Sequence, residues 1–120
     1  MLKKCVLIVE DEPYVSQILK IKLEENGFRV LVAPNGKEGL KMLRAQKIDV
    51  LLLDLLMPVL NGFRVLEEMQ RTHITVPTIV LTNLGQKDDL EQIRQYPDVD
   101  YLIKSDTPLS AILEKVRSKL

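Results

Sequence analysis

Hydrophobic positions along this chain alternate between short unbroken runs and longer stretches with apolar residues three or four apart. The first run, Cys5-Val6-Leu7-Ile8-Val9, lies between Lys3-Lys4 and Glu10-Asp11-Glu12 and reads as a strand buried on both faces. Pro13 suits the first turn of a helix, where a missing N–H costs little. Val15, Ile18 and Leu19 then mark one helical face, and Asn26-Gly27 supplies a stop. Phe28 to Ala33 is a second short strand. Asn35 with Glu38 three residues on predicts a capping box for the helix carrying Leu40 and Leu43.

Ile48 to Leu53 is a third apolar strand, and Val65, Leu66 and Met69 give a buried face to a helix from Gly62 to Arg71. Pro77 opens the fourth strand, Thr78 to Thr82. The segment from Gln86 to Gln95 has only Leu90 and Ile93 as apolar anchors, which predicts the least firmly packed helix. Pro97 ends it. Tyr101-Leu102-Ile103 is the last strand. Thr107 and Pro108 read as cap and first residue of a final helix with the stripe Leu109, Ile112, Leu113 and Val116. Five strands alternating with five helices call for right-handed crossovers and an α/β sandwich of three layers around a parallel sheet.

Composition narrows the class. A chain of 120 residues accommodates one ordinary core, so residues 1–120 are expected to form one domain, with no effector domain attached. Seventeen basic and seventeen acidic side chains cancel, which removes any broad positive field for nucleic acid or an anionic membrane. Cys5, the single cysteine, sits in an apolar run and reads as a small buried thiol; without an intramolecular disulfide a reducing, cytoplasmic setting is expected. No signal peptide and no apolar span of about 18 residues are found.

The chemistry-capable side chains collect at strand ends. Glu10-Asp11-Glu12 follow the first strand, Asp54 ends the third, Thr82 ends the fourth and Lys104 follows the fifth. In a parallel sheet all of these emerge at the carboxyl edge, where open α/β sheets place their sites. Clustered carboxylates call for a cation, and Mg²⁺ suits an all-oxygen site that also meets phosphate. Asp11 and Asp54 are the best side-chain ligands, with Glu10 direct or through water and the carbonyl of Leu56 beside them. His73 and Cys5 lie far apart, so zinc is disfavoured and His73 reads as a solvated loop residue.

Asp54 is then placed to attack phosphorus as a covalent nucleophile. Lys104 and a bound cation would neutralise the transferring oxygens, and Thr82 would donate a hydrogen bond to one of them. Each residue has a plainer reading when taken singly. Asp54 could cap a strand end, Lys104 could be a surface lysine, and Thr82 an ordinary strand residue. Their joint order and spacing favour the chemical reading.

Asp54-Leu55-Leu56-Met57-Pro58-Val59-Leu60-Asn61-Gly62, with Glu10-Asp11-Glu12, Leu81-Thr82 and Tyr101-Leu102-Ile103-Lys104, resembles the bacterial two-component response-regulator receiver family over nearly the whole chain. The resemblance implies a flavodoxin-like fold with strand order 2-1-3-4-5, an order of which a receiver is itself a standard example. It implies phosphoryl transfer to Asp54 from a phosphohistidine of a sensor histidine kinase or a histidine phosphotransfer protein, with Mg²⁺ held partly by Glu10 and Asp11. Thr82 and Lys104 would contact the phosphoryl group. Tyr101 looks like the family's aromatic switch, though it equally suits a partly buried strand aromatic.

Three positions depart from the family pattern. Asn83 follows Thr82 where a small residue is usual, and its amide either narrows the site or adds a bond to the phosphoryl group. Ser105 replaces the proline that commonly follows the lysine, so the Lys104–Ser105 bond is open to both isomers, with a non-proline cis bond costing about 2.5–4 kcal/mol. Asp106 replaces a common aromatic.

The resulting expectation is a phosphoacceptor signalling domain, not a turnover enzyme on external substrates. It would catalyse its own phosphorylation and slow dephosphorylation at most. Phosphatases of the haloacid dehalogenase type resemble this layout but carry a second aspartate two residues after the nucleophile, where this chain has Leu56, which cannot serve as acid or base. Phosphorylation is expected to bias the Thr82–Gln86 loop, the Gln86–Gln95 segment and Tyr101, changing a surface that binds a downstream protein or a second copy. The alternative is an interaction module that keeps the fold and signals without phosphate. A small Mg²⁺-dependent phosphohydrolase lacks a visible base, and a nucleotide enzyme lacks both a Walker lysine motif and a GxGxxG turn.

Overall fold

The computed structural model describes residues 2–57, 59–83 and 87–120, the side chains of residues 87 and 88 aside. The five apolar runs are its strands: β1 (Cys5–Val9), β2 (Arg29–Ala33), β3 (Val50–Leu53), β4 (Thr78–Thr82) and β5 (Val99–Ile103). Between and after them lie α1 (Pro13–Glu25), α2 (Gly36–Ala45), α3 (Gly62–Arg71), α4 (Lys87–Arg94), a 3₁₀ turn (Lys104–Asp106) and α5 (Leu109–Ser118). All strand pairs are parallel, in the order β2-β1-β3-β4-β5. The flavodoxin-like arrangement expected from the sequence is therefore the one observed.

Each face of the sheet is sealed separately. Leu7, Val9, Leu51, Leu53 and Val80 pack with Leu40, Leu43, Val65, Leu66, Met69 and Ile93 on the side of α2, α3 and α4. Val6, Ile8, Val50, Leu52, Ile79 and Leu81 pack with Leu19, Leu23, Ile112, Leu113 and Val116 on the side of α1 and α5. Burial on both faces explains why β1, β3 and β4 read as continuous apolar runs instead of alternating ones. Cys5 is buried in the first of these clusters, and burial pushes its thiol up from the ordinary value, partly offset by Arg29.

Several boundaries differ from the sequence expectation. β3 begins at Val50, not Ile48, because Asp49 turns its carboxylate to accept the Cys5 N–H at 2.7 Å. β5 begins at Val99, two residues before Tyr101; its polar Asp100 is tolerated because Lys115 and Lys119 pair with it across α5. The Asn35 half of the capping box forms, with Oδ1 accepting from Glu38 N at 2.9 Å, while the Glu38 carboxylate lies beside Lys41.

The start of α5 is a correction. Its cap residue is Pro108, whose carbonyl accepts from Ala111 and Ile112. Thr107 instead donates from Oγ1 to the Ile103 carbonyl at 2.7 Å, and Leu109 is exposed, so it does not belong to the buried stripe.

α4 matches its expectation of weak anchoring. Ile93 is fully buried, Leu90 is half-buried, and the outer positions Glu91, Gln92 and Arg94 are exposed. The expected start at Gln86, the 84–86 part of the loop before it, and Pro58 lie outside the described residues. His73 is exposed, as expected, and occupies a left-handed position (φ 58°) that ends α3, where Ile74 N donates back to Met69 O. No helix among the described residues is long and apolar enough to cross a membrane.

Candidate functional site

The sheet ladder brings the acidic residues together. Val9 of β1 pairs with Leu53 of β3, so the residues that follow them, Glu10 and Asp54, leave the sheet side by side. Asp54 N still donates to Val9 O at 3.0 Å, which holds the backbone at the exit point. Glu10, Asp11 and Asp54 each offer a carboxylate oxygen, all within 4.8 Å of one another. Glu10 and Asp54 are buried and Asp11 half-buried.

Lys104 enters from β5. Its Nζ donates to Glu10 Oε2 at 2.9 Å and Oε1 at 3.1 Å, and lies 3.6 Å from Asp54 Oδ2. Burial pushes the Glu10 and Asp54 carboxyls above their ordinary range, with Lys104 offsetting part of the effect in each case. For Lys104, burial works against the charge, but the bond it donates to Glu10 and the charge of Asp54 outweigh it and raise the ammonium above its usual value. One ammonium therefore serves two crowded carboxylates.

The loop after Asp54 is held close against its carboxylate and backbone. Leu55 is fully buried, while Leu56 is 60% exposed and its backbone N–H donates to Asp54 Oδ1 at 3.4 Å. Asn61 caps α3, accepting from Arg64 N at 3.1 Å, and Gly62 N donates to Leu55 O at 3.0 Å. This folds the start of α3 back on the site so closely that a Cβ on Gly62 would stand 2.4 Å from the Asp54 carbonyl oxygen. Glycine is needed there for approach, not for backbone freedom.

Thr82 is buried at the end of β4 and pairs with Ile103, the residue before Lys104. Tyr101 pairs with Val80 and is half-buried against the cluster on the α2–α3–α4 side. Alternation along β4 puts Thr82 on that same face, two residues past Val80.

The three departures are also placed. The chain has no cis peptide among the described residues, so Lys104–Ser105 is trans. Asn83 points its Oδ1 at Ser105 N, 2.9 Å away. Asp106 is exposed at the end of the 3₁₀ turn. Sequence reasoning had no signal for the Glu10–Lys104 pairing or the Asn83–Ser105 bond, since each joins residues more than 20 positions apart. The Asn61 cap was not read from the sequence, although an Asn directly before a helix is a signal for one.

The response regulator receiver domain family matches residues 6–117, and the chain belongs to it. Protein PilH of Pseudomonas aeruginosa is 37% identical over 101 residues, which cover 82% of this chain and 84% of PilH. The response regulator SaeR of Staphylococcus aureus is 32% identical over 108 residues, 90% of this chain; the match spans only 47% of SaeR, and so about half its length. Among solved structures, the response regulator TrrA of Thermotoga maritima, in complex with Mg²⁺-BeF, superposes with a TM-score of 0.84 at 32% identity, covering 98% of this chain and 99% of TrrA.

Proposed function

We propose that this domain accepts a phosphoryl group on Asp54 and signals its presence through a changed surface. The observation that carries this is the convergence of a buried carboxylate, two further acidic side chains and the Lys104 ammonium at one sheet edge. The donor would be a phosphohistidine on a sensor histidine kinase or a histidine phosphotransfer protein. Its P–N bond breaks as an Asp54 oxygen forms the new P–O bond, and the histidine nitrogen departs with the electron pair.

The donor set fits a hard cation, three carboxylates with oxygens in mutual reach. Glu10, Asp11 and Asp54 would hold Mg²⁺, with the Leu56 carbonyl as a further oxygen; bound there, it neutralises charge on the transferring phosphoryl group. The TrrA structure, a complex with Mg²⁺-BeF, supports the same ion here. Lys104 balances the remaining charge, and Thr82 supplies a hydroxyl donor from the neighbouring strand.

Persistence of the phosphoryl group follows from Leu56, which stands exposed beside Asp54 without an acid or base to activate water. Read-out would pass from Thr82 to Tyr101, which share a sheet face, and to α4, whose burial rests mainly on Ile93. The surface of α4, β5 and α5 would then bind a downstream protein or a second copy, in the cytoplasm. The test is intact mass after incubation with a small phosphodonor and Mg²⁺. A phosphoryl increment in the wild type that is lost in Asp54→Asn supports the proposal. No increment under any donor leaves the interaction module as the function.

A further inference from the structure

The Lys104–Asp106 3₁₀ turn gives Lys104 a helical backbone around a trans bond to Ser105. A proline at 105 would clash with a residue in that conformation and would have no N–H. A non-proline residue both permits the turn and leaves an amide donor that needs an acceptor. Asn83 provides it, with Oδ1 at 2.9 Å from Ser105 N. On the other side of the turn, Thr107 Oγ1 bonds the Ile103 carbonyl at 2.7 Å. The backbone that launches Lys104 is thus held at the residue before it and at the residue after it.

We propose that Asn83 is a positioning residue for Lys104: its carboxamide ties the end of β4 to the turn after β5 and so sets the reach of the ammonium toward Glu10 and Asp54. The departures at positions 83 and 105 are on this view one paired feature. Asn83 directly follows Thr82, so a displacement of the β4 end is carried to Lys104 through this hydrogen bond as well as through the Thr82–Ile103 pairing of the sheet. Asn83 is itself exposed, and an exposed hydrogen bond adds little to stability. A misaimed catalytic cation is more serious, since displacement by about 1 Å can cost on the order of a hundredfold in rate.

The rate arm of the test rests on the phosphoacceptor reading; the spectroscopic arm does not. In Asn83→Ala, Ser105 amide exchange is expected to quicken by about tenfold. The Lys104 side-chain nitrogen and Cε resonances should shift, melting should stay within a few degrees, and phosphorylation by acetyl phosphate with Mg²⁺ should slow by about tenfold. Asn83→Asp, which keeps an acceptor oxygen, should restore Ser105 protection. If Asn83→Ala leaves Ser105 exchange and the Lys104 resonances as in the wild type, the proposal is overturned. That holds even if phosphorylation slows, because Asn83 would then act on the phosphoryl group directly. A wild type that takes no phosphoryl group defeats the phosphoacceptor reading alone, and the Ser105 and Lys104 signals still decide this one.

Discussion

Lys104 bridges both oxygens of Glu10, at 2.9 and 3.1 Å, and stands farther, 3.6 Å, from Asp54. Ninety-four residues separate the two partners. The lysine is therefore shared: its shorter bonds compensate the more deeply buried carboxylate, and its field reaches Asp54.

Removing that shared charge should be expensive. Breaking a buried pair by deleting one partner costs roughly 3–5 kcal/mol. Lys104 keeps 17% side-chain exposure and Glu10 can take up a proton, so Lys104→Met should lose about 2 kcal/mol. Mg²⁺ should restore part of the loss, because it supplies the missing positive charge. Urea unfolding with and without Mg²⁺ reads both effects; a variant as stable as wild type in chelator would contradict the pairing.

The carboxylates themselves work against the fold. Glu10 and Asp54 both titrate above their ordinary values because burial disfavours their charge. A raised folded pKa means that the native state binds the proton more tightly than the unfolded chain does. Their contribution is therefore greatest below the ordinary carboxylate range and is lost as pH rises through the raised values. Glu68 and Asp100, held low by Arg71 and by Lys119, act with the opposite sign at lower pH. The informative quantity is thus the difference between wild type and Asp54→Asn in chelator. The variant should be more stable at neutral pH by about 1 kcal/mol, the advantage shrinking as pH falls. An advantage that grew on acidification would refute the assignment.

Gly62 couples Asp54 to α3. An alanine Cβ would meet the Asp54 carbonyl oxygen at 2.4 Å and Leu55 Cα at 2.8 Å, both backbone atoms that cannot rotate away. Gly62→Ala should cost about 1–3 kcal/mol and slow phosphorylation by shifting Asp54. Thermal unfolding and the intact-mass time course measure the two together.

Val59 offers a gain instead. It is 73% exposed and has φ 71°, a left-handed conformation that β-branched side chains resist. Val59→Asn, which suits that region and loses no buried surface, should stabilise the domain by about 0.5–1 kcal/mol. A lowered denaturation midpoint would show that Val59 makes contacts that outweigh its strain.

Much of the fold was readable from the chain because burial on two faces leaves an unmistakable run of apolar residues, as in Cys5–Val9 and Val50–Leu53. β5 was harder. Asp100 interrupts its apolar character, and only the distant Lys115 and Lys119 make it tolerable. The start of α5 was misread because Thr107-Pro108 has the composition of a cap and first turn, whereas the Thr107 hydroxyl is drawn to Ile103 by the 3₁₀ turn.

By itself the sequence determined the alternation of strands and helices, and with it that Glu10, Asp11, Asp54, Thr82 and Lys104 share one edge, because parallel strands all end on the same side. Only the tertiary structure decided how those residues are paired: Lys104 on Glu10, Ser105 on Asn83, Gly62 on the Asp54 carbonyl. Periodicity records which face of an element is buried, which is a local property. A contact across 22 or 94 positions depends on how the loops deliver each side chain, and no local pattern encodes that.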